Sequence, residues 1–122
     1  MTTRQLLYVC APWRTRTPEE EAATTAAIRW ALKWGWCPVW APSLLAPFLE
    51  DEDPDQRAVA LRCAVALLAA CDGVLVVGER RTDGMRYELE AWFKRRRRKP
   101  ELSAPLAWPQ VAAGANAVRR PA

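Results

Sequence analysis

A chain of 122 residues, 51% hydrophobic and 26% charged, has room for one compact domain and excludes a second of ordinary size. Eighteen Lys and Arg against fourteen Asp and Glu give a net charge of +4, but six of the cations are consecutive, at residues 94–99, and removing those six from +4 leaves −2. The basic character is local, which argues against a surface built to coat nucleic acid. No histidine is present, so Ser-His-Asp and Cys-His catalysis, histidine bases and mixed zinc sites are excluded together.

Chemistry here must therefore run on carboxylates, hydroxyls, thiols, lysine or backbone. The four cysteines, Cys10, Cys37, Cys63 and Cys71, lie in apolar sequence without a C-x-x-C pair and read as small hydrophobes of a reduced, cytoplasmic protein. No signal peptide is expected at the N-terminus. The longest uncharged stretches, 34–49 and 102–118, are broken by prolines, so neither suits a membrane-spanning helix.

In chain order, residues 5–10, QLLYVC, read as a buried parallel strand. Thr17-Pro18-Glu19-Glu20 combines a cap, a proline at the first helical position and a capping-box glutamate. The helix that follows carries Ala23, Ala27, Trp30 and Trp34 on one face, and Gly35 stops it. Residues 36–40 form a second strand, in which Pro38 lacks a donor and so suits an edge. Residues 41–53 form a long loop of the kind that is usually functional.

Asp53-Pro54-Asp55-Gln56 repeats the cap signature, and Ala58, Leu61, Val65 and Leu68 are the apolar stripe of a second helix. Cys71-Asp72-Gly73 turns the chain into a β-branched strand at 74–77. A polar loop at 78–83 leads to a third helix from Gly84 to about Arg97, with Met85, Leu89, Trp92 and Phe93 inward. Residues 105–108 offer a further strand, and 111–122 read as disordered. The main domain thus covers residues 1–100 and the tail 101–122.

Alternating strands and helices imply an α/β domain, a small Rossmann-like or flavodoxin-like three-layer sandwich on a short parallel sheet of three to five strands. Ligands bind such sheets at the carboxyl ends of the strands. That rule nominates the loops at 11–16, 41–53 and 78–84.

On the third helix, at about 100° per residue from Met85, Leu89 falls near 40°, Trp92 near −20°, Glu88 near −60° and Glu90 near 140°. Glu88 therefore sits on the margin of the buried stripe. Either it is a nucleophile or base facing the ligand edge, or it is a boundary carboxylate exposed to water or paired with Arg62 or Arg86. Tyr8 is either a core aromatic or a phenol donating to a nearby carboxylate. Trp13 and Arg14 follow the first strand, where an indole stacks on a base and a guanidinium takes a phosphate or carboxylate, unless they are plain loop surface. Asp83 is either a second carboxylate of the site or the helix N-cap. Asp72 stands at the opposite edge and reads as a turn residue.

Taken in order, LLYVCAPWR at 6–14, the G-x-x-P-x-x-AP-x-LL-x-P-x-L run at 35–49, PDQR at 54–57, LLAACDGVLVVG at 67–78 and DGMRYELEAW at 83–92 resemble the small phage and bacterial relatives of the nucleoside 2-deoxyribosyltransferases, a DUF4406-like branch. The resemblance covers about residues 5–100. It implies cleavage of the N-glycosidic bond of a 2′-deoxynucleoside or its monophosphate, with Glu88 as nucleophile and Tyr8 orienting it; Asp83, by its position at the ligand edge, is the candidate proton donor. Pro12, Trp13, Arg14, Ser43, Arg57, Gly84 and Met85 are the implied substrate-binding residues. Ser43 stands where relatives of that branch often carry a histidine.

No metal or cofactor is required by such a reaction. The alternative is a non-catalytic nucleotide-binding or sensing module using the same pocket. The basic run at 94–99 ends a helix, where cations satisfy terminal carbonyls, so a nucleic-acid partner is not expected. Seven tryptophans, with Trp30, Trp34 and Trp36 close together, predict a homo-oligomer associating through the first helix.

Overall fold

The computed structural model describes residues 3–95 and 101–104. Its elements are β1 (Gln5–Cys10), α1 (Pro18–Lys33), β2 (Trp36–Val39), α2 (Ala41–Leu45), α3 (Pro54–Ala69), β3 (Gly73–Val77), α4 (Asp83–Arg95) and β4 (Glu101–Ala104). The four strands form one parallel sheet in the order β2-β1-β3-β4. The order reverses at β1 and β3, and in open parallel sheets that switch point opens the ligand crevice.

Period-two alternation in β1 sorts the layers. Leu7 and Val9 face α1 and join Ala23, Ala27 and Ala31 in one core. Tyr8 and Cys10 face the other way and join Leu68, Met85 and Trp92 from α3 and α4 in a second. Helices thus cover both faces of the sheet, as expected for an α/β sandwich. β3 is buried along its whole length, which explains its uninterrupted Val and Leu run. Pro38 lies on the edge strand β2, where its missing donor does no harm.

The caps form as the sequence dictates. Thr17 Oγ1 accepts from the Glu20 amide at 3.1 Å and the Glu20 carboxylate accepts from the Thr17 amide at 2.9 Å. Asp53 caps α3 through the Asp55 amide at 2.9 Å. Gly35 has φ +90°, the left-handed stop after α1. Asp72 accepts from the Leu6 amide at 2.8 Å and its own amide donates to the Leu6 carbonyl at 2.8 Å. It ties β1 to β3 at the amino edge and is the turn residue expected.

Several details differ from the sequence expectation. A short five-residue helix, α2, occupies the front of the loop at 41–53. The fourth strand described is Glu101–Ala104; the strand expected at 105–108 and the tail at 111–122 lie outside the described residues. Phe93 is 51% exposed, because only Met85, Leu89 and Trp92 of α4 reach the buried layer. On α3 the deepest residues are Ala64 and Leu68, and Ala58, Leu61 and Val65 are half-buried. On α1, Ala31 takes the core position expected of Trp34, which is 49% exposed. Cys37 is also exposed, since it alternates with buried Trp36 on an edge strand. Trp36 belongs to the core and Trp30 packs against it, so the aromatic patch expected on α1 reduces to Trp34 and Leu32.

Candidate functional site

A cavity of about 250 Å³ opens at the carboxyl end of β1. Its floor is Tyr8 and Glu88, its outer wall is the apolar side of α2, and Arg14, Asp51 and Arg57 stand at its rim. Each nominated loop contributes to it. The β1–α1 loop supplies Trp13 and Arg14, the segment at 41–53 supplies Ala41, Leu45, Leu49 and Asp51, and the approach to α4 supplies Thr82 and Gly84.

Glu88 reaches the floor because it lies one turn beyond Gly84 on α4, on the flank of the stripe formed by Met85, Leu89 and Trp92. Tyr8 is on the α4 side of β1, and its hydroxyl donates to Glu88 Oε2. The Arg86 partner considered for Glu88 is taken elsewhere. Arg86 pairs with Asp83 at 3.4 Å, and Glu88 takes the phenol.

The chemistry of this pair follows from burial. Desolvation pushes the Glu88 carboxyl up to about 7, against a smaller opposing effect of the Tyr8 hydrogen bond, which favours the anion. Burial, and then the Glu88 charge, push the Tyr8 phenol far above its ordinary range. The phenol therefore keeps its proton and acts as a donor throughout the accessible pH range. At neutral pH Glu88 is divided between acid and carboxylate, with one oxygen committed to Tyr8.

The rim is ionic. Asp51 bridges two arginines, accepting from Arg14 Nε at 2.8 Å and lying 3.4 Å from Arg57 Nη1. Trp13 and Trp40 meet edge to face, with centroids 6.1 Å apart and planes at 73°, and the Arg16 guanidinium stacks on Trp13 at 4.1 Å. Thr15, between Arg14 and Arg16, has φ 54°, a left-handed conformation uncommon for a β-branched residue. Behind this loop Arg80 holds Glu20 through contacts of 2.9 and 2.8 Å. The Arg80 hydrogen bonds, reinforced by the α1 cap, keep the Glu20 carboxyl down at about 2.

The sequence-nominated residues divide. Tyr8, Glu88, Trp13, Arg14, Arg57, Gly84 and Met85 all line the cavity. Pro12 is buried behind it, between two lining neighbours, Ala11 and Trp13. Ser43 is exposed on the outer side of α2 and its hydroxyl donates to the Trp40 carbonyl at 2.6 Å. Asp83 is 93% exposed and outside the cavity; two residues before Met85, it projects about 160° from the buried stripe. The capping role open to it belongs to Thr82, whose Oγ1 accepts from the Met85 amide at 3.2 Å.

Residues that sequence reasoning did not single out also line the cavity: Trp40, Asp51, Gln56 and Thr82. Gln56 was legible only as a cap residue, and its amide does bind the Asp53 carboxylate at 3.3 Å. Asp51 sat unmarked in an acidic run of four, at 50–53.

Comparison with known proteins adds a family and a fold. A family model described as a domain of unknown function, DUF7768, matches residues 5–100; it is this family, and not the DUF4406 branch, that the chain matches. No curated protein matches the sequence. Among solved structures, the fold is similar to a 2-deoxyribosyltransferase from the psychrotolerant bacterium Bacillus psychrosaccharolyticus, with TM-score 0.64 and 17% identity over 79% of this chain and 69% of that one. Among the described residues no helix is long and apolar enough to cross a membrane.

Proposed function

The chain belongs to the DUF7768 family, and from that premise and its cavity we propose that it is a nucleoside or nucleotide N-glycosidase or 2-deoxyribosyltransferase-like enzyme working through Glu88. The observation that carries the reading is the Tyr8 hydroxyl donating to Glu88 Oε2 on the floor of the cavity. The fold it shares with a 2-deoxyribosyltransferase and the motif resemblance support the same reading.

In this mechanism the ionised Glu88 attacks the anomeric carbon of a 2-deoxyribosyl unit. A C–O bond to the carboxylate forms as the C–N bond to the base breaks, and the base leaves with the electron pair. Water or a second base then attacks the anomeric carbon from the opposite face; the ester C–O bond breaks to return Glu88 as a carboxylate, and the proton shed by the incoming nucleophile passes to solvent or to the departed base anion, for net retention. Tyr8 holds one carboxylate oxygen, leaving the other aimed at the sugar, and the hydrogen bond favours the nucleophilic anion. Trp13 and Trp40 offer flat apolar surface to the departing base. Neither metal nor cofactor enters these steps.

The test is incubation with the common 2′-deoxynucleosides and their 5′-monophosphates, followed by chromatography for free or exchanged base. Cleavage that disappears in Glu88→Ala supports the proposal, and undiminished turnover in that variant refutes it. A second reading, a nucleotide-binding or sensing module without turnover, is favoured by the position of Asp83. With that carboxyl in solvent, the leaving base has no proton donor from it. Calorimetric binding without product separates this reading from the first. The protein is also proposed to be cytoplasmic and to self-associate through Leu32 and Trp34, which sedimentation of wild type against Trp34→Glu examines.

A further inference from the structure

The rim of the cavity holds a charge arrangement that nucleophilic attack at the floor does not use. Arg14 comes from the β1–α1 loop and Arg57 from α3, yet both guanidiniums meet the one carboxylate of Asp51, each at a different oxygen. Two cations that one carboxylate can bridge lie within the span of two oxygens of a phosphate, whose edge has similar dimensions. Among these three lining residues the two cations outnumber the anion, while Glu50, Glu52 and Asp53 flank Asp51 in the chain.

Donors remain at both arginines. Arg14 spends Nε on Asp51, and among the described residues its two terminal nitrogens have no partner. Arg57 spends Nη1; its Nη2 lies 3.9 Å from where a Cβ on Gly84 would stand, and Thr82 Oγ1 is also 3.9 Å from that point. Leu61 Cδ2 is 3.5 Å from the same point, so the missing side chain of Gly84 leaves room for about one methyl group, bordered by an apolar carbon, a guanidinium and a hydroxyl. Glu88 is four residues further along α4, a rise of about 6 Å. That separation is comparable to the reach from the anomeric carbon of a pentose to a phosphate on its 5′ oxygen.

We infer that Arg14 and Arg57 form a phosphomonoester subsite in which Asp51 is an internal competitor, so that the preferred ligand is a nucleoside 5′-monophosphate and Asp51 sets how strongly the phosphate is favoured. Guanidinium forks bind phosphate through paired charge-assisted hydrogen bonds. An arriving dianion repels the Asp51 carboxylate and takes over or shares its donors. The side chains of Arg14, Asp51 and Arg57 are 46%, 34% and 27% exposed, so the exchange takes place at the mouth, where the displaced carboxylate is received by water. The identity of the nucleoside part rests on the functional reading above; the anion subsite does not.

The experiment is calorimetric titration of wild type, Asp51→Asn, Arg14→Gln and Arg57→Gln with inorganic phosphate, the four common 2′-deoxynucleosides and their 5′-monophosphates. In wild type at low salt, monophosphates bind about tenfold more tightly than the matched nucleosides, the equivalent of one charge-assisted contact partly screened by solvent. The preference shrinks as salt rises. It widens by about another tenfold in Asp51→Asn, where the competing charge is gone, and falls toward one in either arginine variant. Equal affinity for nucleoside and monophosphate in wild type, a smaller preference in Asp51→Asn, or no binding of any phosphate-bearing probe to wild type and Asp51→Asn overturns the inference.

The outcomes separate it from the catalytic proposal. A monophosphate that binds with this pattern but is never cleaved sinks the Glu88 mechanism and leaves the subsite standing. Glu88-dependent cleavage of nucleosides with no advantage from phosphate does the reverse.

Discussion

Replacing Glu88 with Gln should stabilise the protein, and only above acidic pH. Burial raises the Glu88 carboxyl from 4.5 to about 7 in the folded chain. Below pH 4.5 the group is protonated in both folded and unfolded states and contributes no difference. Between pH 4.5 and 7 the unfolded chain ionises while the folded chain holds its proton, so folding stability falls as pH rises. Above 7 both states are ionised and the deficit is constant. At about 1.4 kcal/mol per pKa unit, the full deficit is about 3 kcal/mol. Glutamine keeps an oxygen to accept the Tyr8 hydrogen bond and cannot ionise, so Glu88→Gln escapes this cost.

Urea denaturation of both proteins at pH 4 and pH 8 gives the comparison directly, because all other titrating groups cancel in the difference. Near-equal stability is expected at pH 4, with the variant about 3 kcal/mol more stable at pH 8, on the order of 10 °C in Tm for a domain of this size. A difference independent of pH, or a variant less stable at pH 8, would falsify the claim that Glu88 is held in a desolvated site. A residue whose loss stabilises the fold and removes activity is one retained for its chemistry.

Tyr8→Phe removes the one interaction that lowers the Glu88 pKa, so the Glu88 titration followed by carbon NMR should move above 7, and the alkaline-rising limb of any turnover should move with it. Arg80→Ala leaves the buried Glu20 carboxylate without its strongest partner and should destabilise the fold at neutral pH, by less than a fully buried pair would because the guanidinium is half-exposed. Because the folded Glu20 pKa is depressed to about 2, that cost is present above pH 4.5 and fades as pH falls toward 2; thermal melts at pH 7 and pH 2.5 distinguish this from a pH-independent loss. Gly35→Ala meets no atom within 4 Å at its Cβ but sits at φ +90°, so it should lose about 1 kcal/mol by backbone strain alone. A loss beyond about 3 kcal/mol in chemical denaturation would contradict a purely local origin.

The architecture was legible because its determinants are local. Thr17 to Glu20 and Asp53 to Gln56 carry their helix starts within four residues, Gly35 carries its stop, and Pro38 declares an edge. The strand at residues 101–104 is hard to read from sequence because its four residues, ELSA, contain no β-branched residue and are too few to establish their polar-apolar alternation as a period. It pairs with β3 by register, which is a tertiary fact. Helical period alone points Trp34 and Phe93 inward. The period defines a stripe, while the width of the stripe actually covered depends on what the sheet presents beneath it.

The two carboxylates of the cavity show why a site is harder to read than a fold. Glu88 could be found from one helix, since its angle to Met85 and Trp92 is intrinsic to the sequence. Asp51 could not, because its meaning comes from Arg14, 37 residues earlier in the numbering, and from Arg57 on another element. Yet the pair works as a unit. Burial raises the Glu88 pKa against the Tyr8 hydrogen bond, and two guanidiniums line the same cavity. Asp51 draws both to the rim and offsets part of their charge there. The floor is desolvated while the arginines stand at the mouth, and the proposed phosphomonoester subsite rests on that division.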